Sequence, residues 1–498
     1  MHINGRELIL ALISILPIVI SIFTVMQFYD AGGEQLSNLN TSTVKPQSIT
    51  DNCASRTRTT GQVEIEPDSF VIKIFEDVKS ATGYRYSAHD DKNCGLDTIK
   101  IIENPLGGYL GVYHSYIGGI FYVRLAESND LLNWRYIKTI DAHASQPTIA
   151  KAPNGAYIVA FEKENSSSSH LKVCYYSNLS ALIDVNDQPS FTIDLPMTLS
   201  SANEGTPNIY NITIRNSVLN VTMGFHYNNL TANADEVAIG WLTVSLIDAT
   251  NWSWQTKPMK DYTNKLRDEF YVKGNIGDRD FGRIFGMEFT LQEGNLKERV
   301  PGTDWAAWRI FLYNHSSGSF VMLNVTTHAG STSFGNPTFT LLKSPSGRTA
   351  VVVTYYIFSE GAADGEAGPL IFYKELDYDI VISNITLSRE KPKVGEAVQV
   401  HVTVQNLGRL RATFNVTANY TRISDPTIGV MNVTLDSLDS IILNFTWFPE
   451  SSGRYQILIY VSGLPRDADP TNNQKGIILY VYAQTQTDSA GFRRCLLK

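Results

Sequence analysis

Two acidic residues stand where short apolar strands open: Asp97 in LDTIKII and Glu204 in SANEGTPNIY. Strand interiors disfavour glutamate, glycine and proline, so the run Glu204-Gly205-Thr206-Pro207 needs a reason other than propensity. A buried, unpaired carboxylate is costly. A pair of carboxyl groups, however, is what glycosidic-bond cleavage requires: one protonated to assist the leaving oxygen, one ionised to activate water or to attack. Burial would raise the pKa of Glu204, while polar contacts would keep Asp97 ionised. Further polar residues open or follow other strands: Gln146 in SQPTIAK, Asn208 after Pro207, Asp278, Arg279 and Asp280 in GDRDFGRIF, and Asn336 in GNPTFTLL. With His114 and His226, each late in a strand, these residues can bind sugar hydroxyls. Tyr113, Trp305 and Trp308 can stack on sugar faces. Each candidate also has a structural alternative. Asp97 can cap turn amides, Asp278 and Asp280 can form an ion pair with Arg279, and the histidines and aromatics can be core.

These residues are far apart in sequence, so a repeat must bring them together. From about residue 68 the chain reads as short alternating strands separated by Gly, Asn and Pro turns. Five units open at Asp97, Gln146, Glu204, Asp278/Asp280 and Asn336, and their second strands read GYLGVYHS, AYIVAFEK, LNVTMGFHY, WRIFLYN and RTAVVVTYY. A period of roughly 45–75 residues, with about four strands in each unit, predicts propeller blades. The opening residues of all five blades then converge on a central channel. No long stretch has helical period, and the class is all-β: a five-bladed β-propeller over 68–378 followed by a second β module.

The stretch from DTIKIIENPLGGYLGVYHS to IFYVRLAESNDLLNW resembles the first blade of five-bladed propeller glycoside hydrolases of family 43, and EGTPNI resembles their third-blade Glu-Gly-Pro. The resemblance covers residues 97–378 and implies Asp97 as base and Glu204 as general acid. Where that family has a second-blade Asp that sets the acid's pKa, this chain has Ser145-Gln146-Pro147; Asp278-Arg279-Asp280 is also outside the family pattern. Two functions follow as expectations: a glycosidase acting on polysaccharide or surface glycans, with inversion needing carboxyls about 6.5–9.5 Å apart and retention about 5–5.5 Å, or a catalytically inactive glycan-binding, adhesion or surface-structure protein on the same scaffold.

Residues 379–484 alternate in strands without the Cys…Trp…Cys core of antibody domains and predict an immunoglobulin-like sandwich. The Val-Gly-Glu turn, VTVQNLG and Asp-Pro-Thr-Asn-Asn resemble the CARDB domain, an adhesion-related module, which implies surface-protein contacts and no chemistry of its own. At the other end, Leu8 to Phe28 is an uncharged apolar run long enough to cross a bilayer, with Arg6 before it and Asp30 and Glu34 after it. We therefore expect a signal-anchor transmembrane helix over 1–29, a polar linker over 30–67 and the bulk of the chain outside the cell; the tail 485–498 carries no reading. Fourteen Asn-x-Ser/Thr sequons, from Asn40 to Asn444, fit a glycosylated ectodomain. Cys53 and Cys94 could pair outside the cell, and Cys174 lies in an apolar run that suggests burial. A net charge of −8 without a Lys/Arg stripe excludes nucleic acid as the expected partner and leaves carbohydrate. No His/Cys cluster has metal spacing, and no cofactor is expected, a Ca²⁺ among the channel oxygens being the one conceivable ion.

Overall fold

The computed structural model describes residues 67–298, 305–421, 426–464 and 466–484. The apolar run at 8–28, Cys53 and the tail lie outside them. Among the described residues no helix is long and apolar enough to cross a membrane.

Among the described residues the chain is mostly β, in seven antiparallel sheets. Six have four strands and one has three. The first sheet is β2 (Asp97–Glu103), β3 (Tyr109–Ile117), β4 (Ile120–Ser128) and β5 (Arg135–Ala142); the second is β6 (Ala144–Lys151), β7 (Tyr157–Glu164), β8 (Ser169–Tyr176) and β9 (Phe191–Asp194). The third is β10 (Glu204–Arg215), β11 (Val218–Asn229), β12 (Ala234–Ser245) and β13 (Trp252–Pro258). The fourth is β14 (Ile276–Ile284), β15 (Met287–Asn295), β16 (Trp308–Asn314) and β17 (Ser319–Met322). The fifth joins β18 (Phe334–Lys343), β19 (Thr349–Ile357) and β20 (Gly368–Glu375) to β1 (Gly83–Arg85), so the earliest strand completes the last sheet. The first strands contact one another in a closed ring, β2 to β6 to β10 to β14 to β18 and back to β2, which is a propeller-like layout.

WRIFLYN is the third strand of the fourth sheet; its second strand is MEFTLQEGN. Both carry the aromatic and β-branched residues that a half-buried strand accepts, so composition alone does not rank them. Three α-helices also lie where only strands were expected. In α1 (Pro67–Glu76), Val71, Ile74 and Phe75 fall on one face at helical spacing and enter the core beside Phe289, Phe339 and Val353. A second short helix, α2 (Leu179–Ile183), is capped by Asn178, which accepts from the Ala181 amide. The third, α3 (Lys260–Phe270), buries Leu266 between the third and fourth sheets.

The remaining two sheets are β21 (Ile380–Leu387), β22 (Val398–Asn406) and β25 (Ser440–Trp447), and β24 (Thr427–Leu435), β23 (Ala412–Tyr420), β26 (Gly453–Ser462) and β27 (Gln474–Val481). Val398, Val400, Val402 and Val404 alternate inward on β22 and meet Phe414, Val416, Ile457 and Ile459 of the other sheet, which makes a sandwich core. This module is docked onto the ring: Ala468 packs into the core that α1 enters, and its carbonyl accepts from the Phe285 amide at 2.8 Å. Cys94 and Cys174 are free among the described residues, and Cys174 is buried.

Candidate active site

Each of the five first strands breaks register with its neighbour near its start: between Asp97 and Lys100, Ser145 and Thr148, Gly205 and Asn208, Asp278 and Asp280, and Gly335 and Thr338. Four of these bulges place a non-glycine residue in the left-handed region, Thr98 (φ 53°), Gln146 (53°), Thr206 (47°) and Asn336 (49°). Such conformations cost on the order of 1–3 kcal/mol each and gather at functional sites.

The register aligns the blades residue by residue. At the last pair before each bulge, or one pair earlier in the fourth sheet, Asp97 faces His114, Ser145 faces Glu162, Gly205 faces His226, Gly277 faces Glu293 and Gly335 faces Tyr356. A ring of five second-strand side chains, His114, Glu162, His226, Glu293 and Tyr356, therefore holds one register position, one from each of the five sheets. Three of them latch the next blade by accepting the backbone N–H just after its register position. Gln146 donates to His114 Nδ1 at 3.2 Å, Asn336 donates to Glu293 Oε2 at 2.5 Å, and Thr206 donates to Glu162.

Five of the expected residues meet here. The Asp97 carboxylate accepts from Asn336 Nδ2 at 2.8 Å and lies 3.2 Å from His114 Nε2. Because His114 Nδ1 accepts from Gln146, the ring proton sits on Nε2 and faces Asp97. Arg279 Nη2 donates to Gln146 Oε1 and to Asn336 Oδ1, both at 2.7 Å, and Arg279 Nε lies 3.5 Å from Glu293 Oε1. Burial alone would raise the Asp97 pKa, but His114, Asn336 and Arg279 together hold it below the ordinary carboxylate range. Its side chain retains 21 % exposure, enough to meet a ligand.

Glu204 is elsewhere. It sits one residue before the register position, where the other blades carry Leu96, Ala144, Ile276 and Phe334, all buried. Strand alternation turns that position away from the ring's face. Glu204 is 1 % exposed, and its Oε1 accepts the amides of Thr198, Leu199 and Ser200 at 2.7, 2.6 and 3.2 Å. Burial raises its pKa and those amides oppose the rise. The structure gives this carboxyl to a loop rather than to Asp97.

Beneath the ring, Asn208 and Asp278 are fully buried, with Asn208 Nδ2 at 3.3 Å and Tyr210 OH at 2.8 Å from the Asp278 carboxylate. Burial pushes Asp278 up to about 7 against those two bonds. Asp280 pairs with Lys100 Nζ at 2.6 Å, and Lys100 also reaches the Phe339 carbonyl, so one ammonium joins the first strands of three sheets. Asp280 is thus already paired with a cation, and among the described residues no group of three or more His, Cys, Asp or Glu is placed to hold a metal. His226 is bound by Thr206 Oγ1 and Asn203 Nδ2. Tyr113 is fully buried with its hydroxyl on Asp90, which is blade packing. Trp305 stacks on Phe358 at 4.8 Å and on Trp308 at 6.2 Å, an aromatic wall on the fourth and fifth blades.

Glu162 and Glu293 were missed. The signal for Glu162 is the alignment of second strands on an aromatic-then-polar pair, Tyr113-His114, Phe161-Glu162, Phe225-His226 and Tyr355-Tyr356; Glu293 follows Gln292 and lacks it. Burial raises Glu162 to about 7; neighbouring Glu164 and Asp235 push the same way, and bonds from Ser169 and the Thr206 amide oppose it. Burial also raises Glu293, which Arg279 partly offsets.

No family model matches this chain, and no curated protein matches it. Among solved structures it is similar to the CARDB domain of a Pyrococcus furiosus protein, solved with di-metal ions, at 20% identity over 21% of this chain and 89% of that one, TM-score 0.19. It is also similar to a Bombyx mori GH32 β-fructofuranosidase, at 10% identity over 80% of this chain and 89% of that one, TM-score 0.34. A Listeria innocua β-glucosidase matches at 10% identity over 21% of this chain and 16% of its own, TM-score 0.17. Likenesses this weak carry no functional argument.

Proposed function

We propose that this protein is a carbohydrate-active enzyme, a glycoside hydrolase that cleaves a polysaccharide or surface glycan at the five-residue ring. The observation that carries this reading is the gathering of carboxyl groups at the blade openings: Asp97, bonded to Asn336 and 3.2 Å from His114, with Glu162 and Glu293 at the matching second-strand positions. Asp97 is held ionised by His114, Asn336 and Arg279, while Glu162 and Glu293 are pushed upward by burial. Divergent pKa values in neighbouring carboxyls mark the acid and base of such a reaction. Asp97 serves as the base, and Gln146, Asn336 and Arg279 hold it and one another in place. The aromatic wall of Trp305, Trp308 and Phe358 supplies an apolar surface of the kind that sugar faces pack against.

In the same reading the propeller has five blades, the sandwich is a CARDB-like contact module, and the apolar run 8–28 anchors the chain at the cell surface with its sequons outside. A second reading, a glycan-binding protein without turnover, draws on Gln146: an amide fills the second-blade position, and its oxygen is already bound to Arg279 and Thr98. A reducing-sugar assay of the purified protein beside a glycan array separates the two. Turnover abolished by Asp97→Asn supports the enzyme, and binding without turnover supports the adhesin.

A further inference from the structure

Glycoside cleavage at this ring needs a proton donor, and the residue that the third-blade motif offers for that role is turned into a loop. Three carboxyls remain to be compared. Glu204 is committed to three backbone amides on the far side of its strand. Glu293 faces the ring, but it is 6 % exposed, accepts the Asn336 amide and lies against the Arg279 guanidinium, a cation that favours its ionised form. Glu162 faces the ring from β7 at the position that matches His114 on β3. It is only partly buried, and among the described residues no Lys or Arg forms an ion pair with it. The charges that act on it most strongly are those of Glu164 and Asp235, both acidic, while the adjacent Lys163 is taken up by Asp141 at 2.8 Å.

The backbone across the blade boundary is built around it. Gly205 stands where the first blade has Asp97, and a methyl group there would overlap the Glu162 carboxylate. The side chain therefore lies flat over the start of the third blade, in the space that a non-glycine residue would fill. Thr206, in its left-handed conformation, directs its amide at the same carboxyl.

We infer that Glu162, on the second strand of the second blade, is the proton donor of the reaction, in place of Glu204. This rests on the glycosidase reading above. In the step, the Glu162 O–H proton passes to the glycosidic oxygen as its bond to the anomeric carbon breaks, and the bonding electron pair stays on that oxygen. Water adds to the anomeric carbon and gives its proton to Asp97. Glu162 ends ionised and Asp97 protonated, and solvent restores both, so the net reaction consumes one water.

The test is leaving-group dependence. The full chain and its Glu162→Gln, Glu204→Gln and Glu293→Gln variants are assayed on matched methyl and 2,4-dinitrophenyl glycosides of a panel of sugars, with thermal unfolding in parallel. A general acid contributes about 10²–10⁴-fold, and a dinitrophenolate leaves without one. Glu162→Gln should therefore lose about 10²–10⁴-fold in kcat/KM on the methyl glycosides, less than about tenfold on the dinitrophenyl series, and the alkaline limb of its pH profile. Should Glu162→Gln fail to fold, Glu162→Asp, which withdraws the carboxyl by one methylene, should give the same pattern. That pattern in Glu204→Gln or Glu293→Gln, with Glu162→Gln unaffected, would overturn the assignment and leave the glycosidase reading standing. A wild-type protein inert on the whole panel would overturn both.

Discussion

The Glu162 carboxylate lies against the α-carbon of Gly205, across the boundary between the second and third blades, in space that any side chain at 205 would occupy. The glycine is required by close approach, since its backbone is not in the left-handed region. Gly205→Ala should push Glu162 out of the ring. We expect a stability loss of about 1–3 kcal/mol from overpacking and a fall in turnover at least as large, measured by urea unfolding and by hydrolysis of an unactivated glycoside.

Glu204 should behave as a structural residue. Its truncation to Ala leaves the amides of Thr198, Leu199 and Ser200 without their shared acceptor. Leaving buried donors unsatisfied costs about 1–3 kcal/mol. The urea midpoint should drop accordingly, while the protein that remains folded keeps its leaving-group dependence.

Lys100 and Asp280 form a buried pair whose two side chains are 11 % and 3 % exposed. Lys100→Met would strand the Asp280 carboxylate and release the Phe339 carbonyl, at a cost of about 3–5 kcal/mol. The double variant Lys100→Met/Asp280→Leu should recover much of that loss. A single variant as stable as wild type would show that the pair does not tie the first strands together.

Stability should also fall as pH rises from about 4 to about 7. Glu162 and Asp278 are each raised to about 7 from ordinary values of 4.5 and 3.8, chiefly by burial. In that window the folded protein holds protons that the unfolded chain has released, so rising pH favours unfolding until the folded groups ionise. Asp97 acts in the opposite sense: its depressed pKa adds stability above the ordinary value of 3.8, and that contribution is lost as pH falls through its folded pKa. Urea unfolding of Asp278→Asn at both ends of the window should show a smaller pH dependence than wild type.

The period-two alternation of apolar residues made the strands legible, and the turns between them set the blade spacing. Asp97, His114, Gln146, Arg279 and Asn336 were found because each is a polar residue at or beside a blade opening, and the register brings them into one network. Glu204 misled because it stands one residue before the position that Asp97 holds in the first blade, and an offset of one residue turns a strand side chain to the other face. Glu162 was hidden for a different reason. It follows the apolar run Tyr157–Phe161 of β7, and its ring position appears only when the second strands are set in register. Glu293 was lost when β16 was taken for the second strand of its blade. The helix α1 escaped because its ten residues are too few to stand out against the strands around them.

The most direct test of the account is sugar release by the full chain from a panel of polysaccharides and aryl glycosides, with Asp97→Asn measured beside it. We predict turnover by the wild-type protein and a loss of at least about 100-fold in Asp97→Asn, with the fold intact by circular dichroism. Glycan binding by both proteins with turnover by neither would contradict it.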